Sequence, residues 1–170
     1  MRYSSGFTLI EALIFMAILG VVLASLLDLT VNGLMARSKN YAVSEVHQNA
    51  RFVFDVMSQR IRAANAVNIG SSTFNSNPGI LSLQMDTGGV NPTIFSRDPA
   101  TLALRIQEGA SPETPLTTNR VQVTNLVFKN LSSTGARHSI RILMTLQYAN
   151  SSDPQFSYSY DFQTTVSVRQ

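Results

Sequence analysis

Residues Gly6 to Asp28 read GFTLIEALIFMAILGVVLASLLD, and this stretch decides the fold of the chain that follows it. From Phe7 to Leu27 the stretch holds 21 residues and a single charge, Glu11. At about 1.5 Å per residue, a helix of this length spans about 30 Å, the thickness of the hydrocarbon core of a bilayer. The sequence therefore predicts a helix that can cross a membrane.

Glu11 is the one exception to the apolar character of this helix. A charged side chain costs on the order of 2.5–3.5 kcal/mol near the centre of a bilayer and less near its edge, so a glutamate there indicates a function. A positively charged group beside it in a low-dielectric environment offsets the cost of burying both charges. We therefore expect Glu11 to face a cation.

Gly6 is followed by Phe7 and, four residues later, by Glu11, with the apolar helix behind them and a short leader carrying Arg2 in front. This pattern resembles the class III signal of type IV prepilins and pseudopilins. The resemblance implies that prepilin peptidase cleaves between Gly6 and Phe7 and methylates the new amino terminus of Phe7. It also implies that Glu11 faces the positive amino terminus of a neighbouring subunit during filament assembly.

The position of the cleavage site distinguishes this stretch from an ordinary secretory signal. Such a signal has an apolar region of about 7–15 residues with the cleavage site after it. Here the apolar run is longer and the cleavage site precedes it, so the helix is expected to stay with the mature protein. Arg2 favours a leader on the inner side of the membrane. We expect a single-pass protein of the bacterial cytoplasmic membrane with an extracytoplasmic C-terminal domain, which then enters a pilus or pseudopilus.

The helix is expected to continue well beyond Asp28, because residues 29–66 contain no proline and only Gly33 as a weak breaker. Asn68 and Gly70 then predict a helix end near residues 67–70. Apolar residues recur at spacings of three and four along one face of this outer part: Val43, Val46, Ala50, Val53, Met57, Ile61 and Ala64. This stripe requires an apolar cover, which the rest of the chain must supply.

The rest of the chain has the pattern of strands bounded by turn residues. The predicted strands are Ile80–Met85, Thr93–Ser96, Leu102–Gln107, Arg120–Asn130, Ser139–Ala149 and Phe156–Val168. The connections between them are too short for crossover helices, so the pairing is expected to be mainly antiparallel. The predicted fold class is α+β, with a long N-terminal helix packed against a mainly antiparallel β-sheet, which the pilin resemblance also implies.

We expect three segments in the chain. A leader covers residues 1–6, a transmembrane and assembly helix covers residues 7–28, and a pilin-like soluble domain covers residues 29–170. Within the soluble domain, the helix is expected over residues 29–69 and the sheet region over residues 78–170.

Composition and spacing argue against catalysis. The chain has no cysteine, which excludes a disulfide framework and zinc sites built on thiolates. No serine or acid lies at motif spacing near His47 or His138, so solvated histidines are expected rather than a catalytic pair. The carboxylates are scattered, with neither a paired arrangement nor a dense calcium-binding loop. We therefore expect no enzyme, no catalytic residues, no metal and no cofactor.

The net charge of +3 is mild and the basic residues are not clustered, which argues against a nucleic acid partner. An alternative is that basic residues on or near the strands align into a DNA-binding face, although a solvated sheet face is favoured. These residues are Arg97, Arg105, Arg120, Lys129, Arg137, Arg141 and Arg169.

Two interpretations of function follow. The stretches Ala50–Met57, Arg60–Ala64 and Val123–Phe128 resemble minor pilins or J-type pseudopilins, structural subunits of a type IV pilus or of a type II secretion or competence filament. The implied partners are prepilin peptidase, other pilin or pseudopilin subunits, an inner-membrane assembly platform and membrane lipid. The alternative is a monomeric, signal-anchored extracytoplasmic binding module.

Overall fold

The computed structural model describes residues 8–132, 138–149 and 157–169. A long helix, α1 (Leu9–Ala63), is followed by strands β1 (Ala66–Val67), β2 (Leu81–Gln84), β3 (Thr93–Arg97), β4 (Leu104–Glu108), β5 (Thr114–Pro115), β6 (Val121–Asn130), β7 (Ser139–Tyr148) and β8 (Ser159–Ser167). Short 3-10 turns lie at Ile69–Ser71 and Gly88–Val90. The chain divides into two compact units, Met1–Lys39 and Asn40–Gln170.

The strands of the second unit form two sheets. One has the order β1-β2-β3-β4-β5 and the other has the order β6-β7-β8. Every pairing between neighbours is antiparallel, as the sequence predicts. The α+β fold class is therefore confirmed, but the single sheet that we expected is divided in two.

The two sheets meet beside the irregular step of β6 between Val123 and Asn125, where its pairing with β7 shifts register. The Val123 amide donates to the Leu102 carbonyl at 2.8 Å, just before β4 begins. Arg97 Nη1, at the end of β3, donates to the carbonyls of Val123 and Thr124 at 3.2 and 2.7 Å. One backbone bond and one arginine thus replace the regular ladder that would join the two sheets.

The outer part of α1 supplies the centre of the core. Of the predicted stripe, Val46, Ala50, Val53, Met57, Ile61 and Ala64 are buried, while Val43 is half-buried. Both sheets pack on the stripe, with side chains that include Leu81, Leu83, Phe95, Leu104, Val123, Phe128, Ile142, Met144, Leu146 and Val166. Full burial of one such aliphatic or aromatic side chain contributes about 1.5–3 kcal/mol. The prediction that the chain's own strands cover the stripe is confirmed.

The helix ends earlier than the expected range of 29–69, because its last residue is Ala63. The Asn65 amide donates to the Gln84 carbonyl at 2.9 Å, and Ala66 and Val67 then pair with Gln84 and Leu83 of β2. Pairing with a strand therefore ends the helix before Asn68 and Gly70 are reached. The six longer strands lie where the sequence predicts them, although Phe156, the expected first residue of the last one, lies outside the described residues.

The loop over residues 75–79 closes the outer edge of β6. The Asn75 amide donates to the Phe128 carbonyl at 2.9 Å, and the Gly79 amide donates to the Leu126 carbonyl at 2.8 Å. Asn77 Oδ1 accepts the Leu126 amide at 3.1 Å. A Cβ atom on Gly79 would lie 2.9 Å from Phe128 Cδ2, so the close approach of this loop requires glycine.

Candidate assembly helix and its glutamate

The candidate site is the part of α1 in the first unit. Every side chain from Thr8 to Arg37 is exposed. The apolar residues from Leu9 to Leu27 lie on all sides of the helix, and Leu9 and Leu27 are 81% and 68% exposed. A helix that is apolar all round requires lipid or other protein around it. By length and composition, this helix is able to cross a membrane.

Glu11 lies in the first turn of α1 and is exposed. An acidic side chain at this position is favoured by the partial positive charge of the helix N-terminus. The ion pairs among the described residues lie in the second unit and join Arg60 to Glu108 and Arg105 to Asp98 and Glu113. Within the described part of the chain, Glu11 therefore has no cationic partner.

Gly6 and Phe7 lie outside the described residues. Their cleavage and methylation stay predictions, as does the role of Glu11 in assembly.

The hydroxyl groups near the end of the apolar run are satisfied within the helix itself. Ser25 Oγ donates to the Val21 carbonyl at 2.9 Å, and Thr30 Oγ1 donates to the Leu26 carbonyl at 2.8 Å. Such bonds to the carbonyl four residues earlier allow a hydroxyl to lie in hydrocarbon without a water partner. Between residues 9 and 27, Glu11 is thus the remaining polar side chain whose partner must come from elsewhere.

The structure assigns structural roles to three of the basic residues that were considered for DNA binding. Arg97 binds the irregular step of β6, and Arg105 pairs with Asp98 and Glu113. Arg120 is hydrogen-bonded to Tyr41 and its guanidinium lies 5.6 Å from the centre of that ring. Their charges are therefore engaged within the protein rather than aligned into one basic stripe. Arg137 lies outside the described residues.

The two histidines lie near opposite ends of β8. His47 Nε2 is 2.9 Å from the Tyr158 hydroxyl, before the strand, whereas the His138 carbonyl accepts the Val168 amide, after it. Ten residues of extended chain span about 33 Å, so the histidines do not form a pair. The prediction of solvated histidines is wrong, because both side chains are half-buried, and the ring centre of His47 lies 4.5 Å from that of Tyr160.

Asp98 is the titratable group with the most constrained surroundings outside the apolar helix. The Thr101 hydroxyl donates to its carboxylate at 2.5 Å, the Ala100 amide donates at 3.1 Å, and Arg105 pairs with it. These groups, the Thr101 bond first among them, lower the pKa of Asp98 below its ordinary value. The carboxylate holds the turn between β3 and β4, so its role is structural.

A family model described as the prokaryotic N-terminal methylation motif matches residues 1–27. The motif is the class III prepilin signal, and the match of residues 1–27 is consistent with the type IV pilin-like family, as the sequence predicts. The arrangement of α1 and the antiparallel sheets is consistent with the pilin fold. Comparisons of the whole chain with curated proteins and with solved structures gave no match.

The motif covers the first 27 residues of the chain. It supports a type IV pilin-like prepilin substrate, and members of that family are structural subunits. It also implies processing by prepilin peptidase followed by pilin assembly. Together with the long apolar helix, it indicates a membrane-anchored pilin.

Proposed function

We propose that the chain is a minor pilin or pseudopilin, a structural subunit of a type IV pilus or of a type II secretion or competence filament. One observation carries this proposal. The methylation motif at residues 1–27 overlaps the first part of α1, which over residues 9–27 exposes apolar side chains on all sides and a single carboxylate, Glu11. The apolar surface suits a bilayer before assembly and neighbouring helices of the same kind afterwards.

The proposed chemistry begins with cleavage between Gly6 and Phe7, which creates an amine four residues before Glu11. The amine of one subunit and the Glu11 carboxylate of its neighbour then pair as the helices pack together. Pairing offsets the free-energy cost of desolvating both charges. A filament in which the helices place the amine beside Glu11 is therefore favoured over one in which either charge is buried alone. Gly20, Ala24 and Ser25 allow close approach of the neighbouring helices.

Replacement of the carboxylate tests the proposed role of Glu11. We expect Glu11→Gln and Glu11→Ala to lower incorporation into filaments at least tenfold, because the neighbour's amine would be buried without a countercharge. The measurement is the ratio of protein in sheared filaments to protein in the membrane fraction, by immunoblot. Asp28→Asn, which removes the carboxylate at the other end of the apolar run, is the matched control and is expected to leave this ratio unchanged.

The same experiment separates the filament subunit from the monomeric binding module. A signal-anchored monomer has no neighbour to pair with, so none of these substitutions would alter its distribution. Filament incorporation of Glu11→Gln at the wild-type level would overturn the proposed role of the carboxylate.

Processing is tested by the intact mass of the protein purified from native membranes. We expect a mature chain that begins at Phe7 and carries one additional methyl group. Gly6→Val is expected to give the uncleaved mass, since a branched side chain then occupies the cleavage position, whereas Ser5→Ala is expected to be processed normally. An unmodified wild-type chain that begins at Met1 would show that the signal is not processed.

A further inference from the structure

The last strand, β8, presents an open edge. It lies at the end of the three-stranded sheet and pairs with β7 on one side. The Tyr148 amide donates to the Tyr158 carbonyl at 3.0 Å, and the Val168 amide donates to the His138 carbonyl at 2.8 Å. Backbone groups of alternate residues point in opposite directions along an antiparallel strand. The even-numbered residues of this segment therefore face β7, and the odd-numbered residues face away from it.

The odd-numbered residues of β8 are Ser159, Asp161, Gln163, Thr165 and Ser167, and all five side chains are exposed. The next odd-numbered residue, Arg169, donates its amide to the Arg62 carbonyl of α1 at 3.3 Å, as this direction requires. Helix α1 thus closes the edge beyond the strand. From Ser159 to Ser167, the outward backbone groups have no hydrogen-bond partner among the described residues.

The other sheet edges in the described part of the chain are protected. The loop over residues 75–79 and Arg97 cover β6. The five-stranded sheet ends in two-residue strands, β1 and β5, and Pro115 in β5 has no amide hydrogen to offer. In contrast, β8 has nine residues and lacks the lysine or proline that commonly guards an edge. Such an edge favours pairing with another strand.

Side chains on the outer face of this sheet form rows across the strands. Lys129 lies directly opposite Arg141, which lies opposite Thr165, so two cations share one row. Like charges directly opposite each other are unfavourable, and neither cation has an ion-pair partner among the described residues. The row ends at the open edge, where a negative charge on an added strand would offset it.

A second copy of β8 supplies such a charge. Antiparallel pairing of two copies centred on Gln163 uses the whole edge and places Asp161 of each copy opposite Thr165 of the other. Asp161 of one copy then lies at the end of the row that holds Lys129 and Arg141 of the other copy. The two-fold symmetry of the pair produces this arrangement twice. No like charges lie directly opposite each other across the new interface.

We propose that two copies of this chain associate through antiparallel pairing of their β8 strands, which joins two three-stranded sheets into one sheet of six strands. The outward backbone groups provide the hydrogen bonds. The exposed Asp161 carboxylate, which accepts the Thr145 hydroxyl at 2.7 Å in its own sheet, favours this register through its attraction for the basic row. The inference rests on the geometry of β8 and is independent of the proposed assembly through the N-terminal helix.

The absence of native cysteine makes a disulfide test specific. In the proposed register Gln163 lies opposite its own copy, where Cα atoms are about 5.5 Å apart and a disulfide is able to form. Full-length Gln163→Cys in detergent micelles is expected to give a major disulfide-linked dimer on mild oxidation, measured by non-reducing electrophoresis. Ser167→Cys is the matched control, because each Ser167 lies opposite Ser159 and about 27 Å from the other Ser167. We expect it to give at least fivefold less dimer.

A second pair of variants tests the backbone bonds. Gln163→Pro removes an amide that points away from β7, so it costs no bond within the sheet. It is expected to raise the dissociation constant of the dimer at least tenfold in sedimentation measurements, whereas Gln163→Ala keeps the amide and is expected to match the wild type. Unchanged circular dichroism and thermal unfolding of the proline variant establish that its fold is intact.

Equal disulfide yields at positions 163 and 167 would overturn the proposal, since a dimer held together by the apolar helices alone brings neither position together selectively. A wild-type chain that stays monomeric at all concentrations, or a folded Gln163→Pro variant that associates like Gln163→Ala, would overturn it as well.

Discussion

At the scale of single residues, the roles of Glu11 and Asp98 follow from the hydrogen-bond donors and cations that surround each carboxylate. Glu11 has a favourable helix terminus but no cation among the described residues, which leaves it available for a partner. Asp98 has the opposite surroundings, with Thr101, Ala100 and Arg105 around its carboxylate. One carboxylate is thus suited to assembly and the other to holding a turn.

The lowered pKa of Asp98 predicts how stability depends on pH. Its pKa is lower in the folded protein than the ordinary value of about 3.9, so the ionised form stabilises the fold above that pH. This stabilisation is lost as the pH falls through the folded-state pKa. We expect Asp98→Asn to be less stable than the wild type at pH 7, and we expect the difference to shrink as the pH is lowered below about 4.

The measurement is the free energy of unfolding in urea for the full-length protein in detergent, over a series of pH values. Asp55→Asn serves as the control, because Asp55 is exposed and has no hydrogen bond or ion pair among the described residues. A difference between wild type and Asp98→Asn that stays constant from pH 7 to pH 2 would contradict the assignment.

At the scale of elements, α1 has different roles along its length. Its first part exposes apolar side chains on every side, while its outer part buries one stripe under two sheets. The spacing of apolar residues reveals both parts, because an unbroken run and a one-sided stripe are local patterns. The end of the helix is less predictable, because it depends on a hydrogen bond from the Asn65 amide to the carbonyl of Gln84, which lies 19 residues later in β2.

Two side chains on the outer part of α1 provide a direct test of this packing. Met57 is 1% exposed and Phe52 is 54% exposed. We expect Met57→Ala to lower the free energy of unfolding by about 2–5 kcal/mol, because it leaves a cavity in the core. Phe52→Ala is expected to change it by less than about 0.5 kcal/mol, since it removes a surface group. Both values come from urea unfolding of the full-length protein, and equal losses would show that the stripe is misassigned.

The strands show the same contrast between local and long-range information. Alternating apolar residues predict the positions of β6, β7 and β8 to within a few residues, because a period-two pattern is a local property of each strand. The contact between the two sheets is long-range, since Arg97 reaches the irregular step of β6 26 residues further along the chain. The contacts of His47 with Tyr158 and Tyr160 are likewise long-range, so the sequence pattern placed this histidine in solvent.

At the scale of the whole molecule, the two compact units make a testable division of the chain. The first buried residue of α1 is Ala42, whereas Arg37 and Lys39 are exposed just before it. We expect trypsin to cleave the detergent-solubilised protein first after Arg37 and Lys39, because the helix has no tertiary packing there to resist local opening. Mass spectrometry should identify a resistant fragment that begins at Ser38 or Asn40.

The double variant Arg37→Gln/Lys39→Gln is the control, and it is expected to delay the first cleavage. First cuts within residues 60–141 would contradict the division. The domain boundaries predicted from the sequence, with a leader at residues 1–6, a membrane helix at residues 7–28 and a soluble domain at residues 29–170, stay a prediction.

The position of β8 after all the other described strands also affects folding during synthesis. The stripe on α1 shares its core with Val166 and Val168, and the Arg62 carbonyl accepts the amide of Arg169. A chain that emerges from its N-terminus thus displays the apolar stripe more than a hundred residues before the last strand can cover it. Exposed apolar surface of this kind promotes aggregation during synthesis. We therefore expect the stripe to require shielding from solvent until β8 has been synthesised.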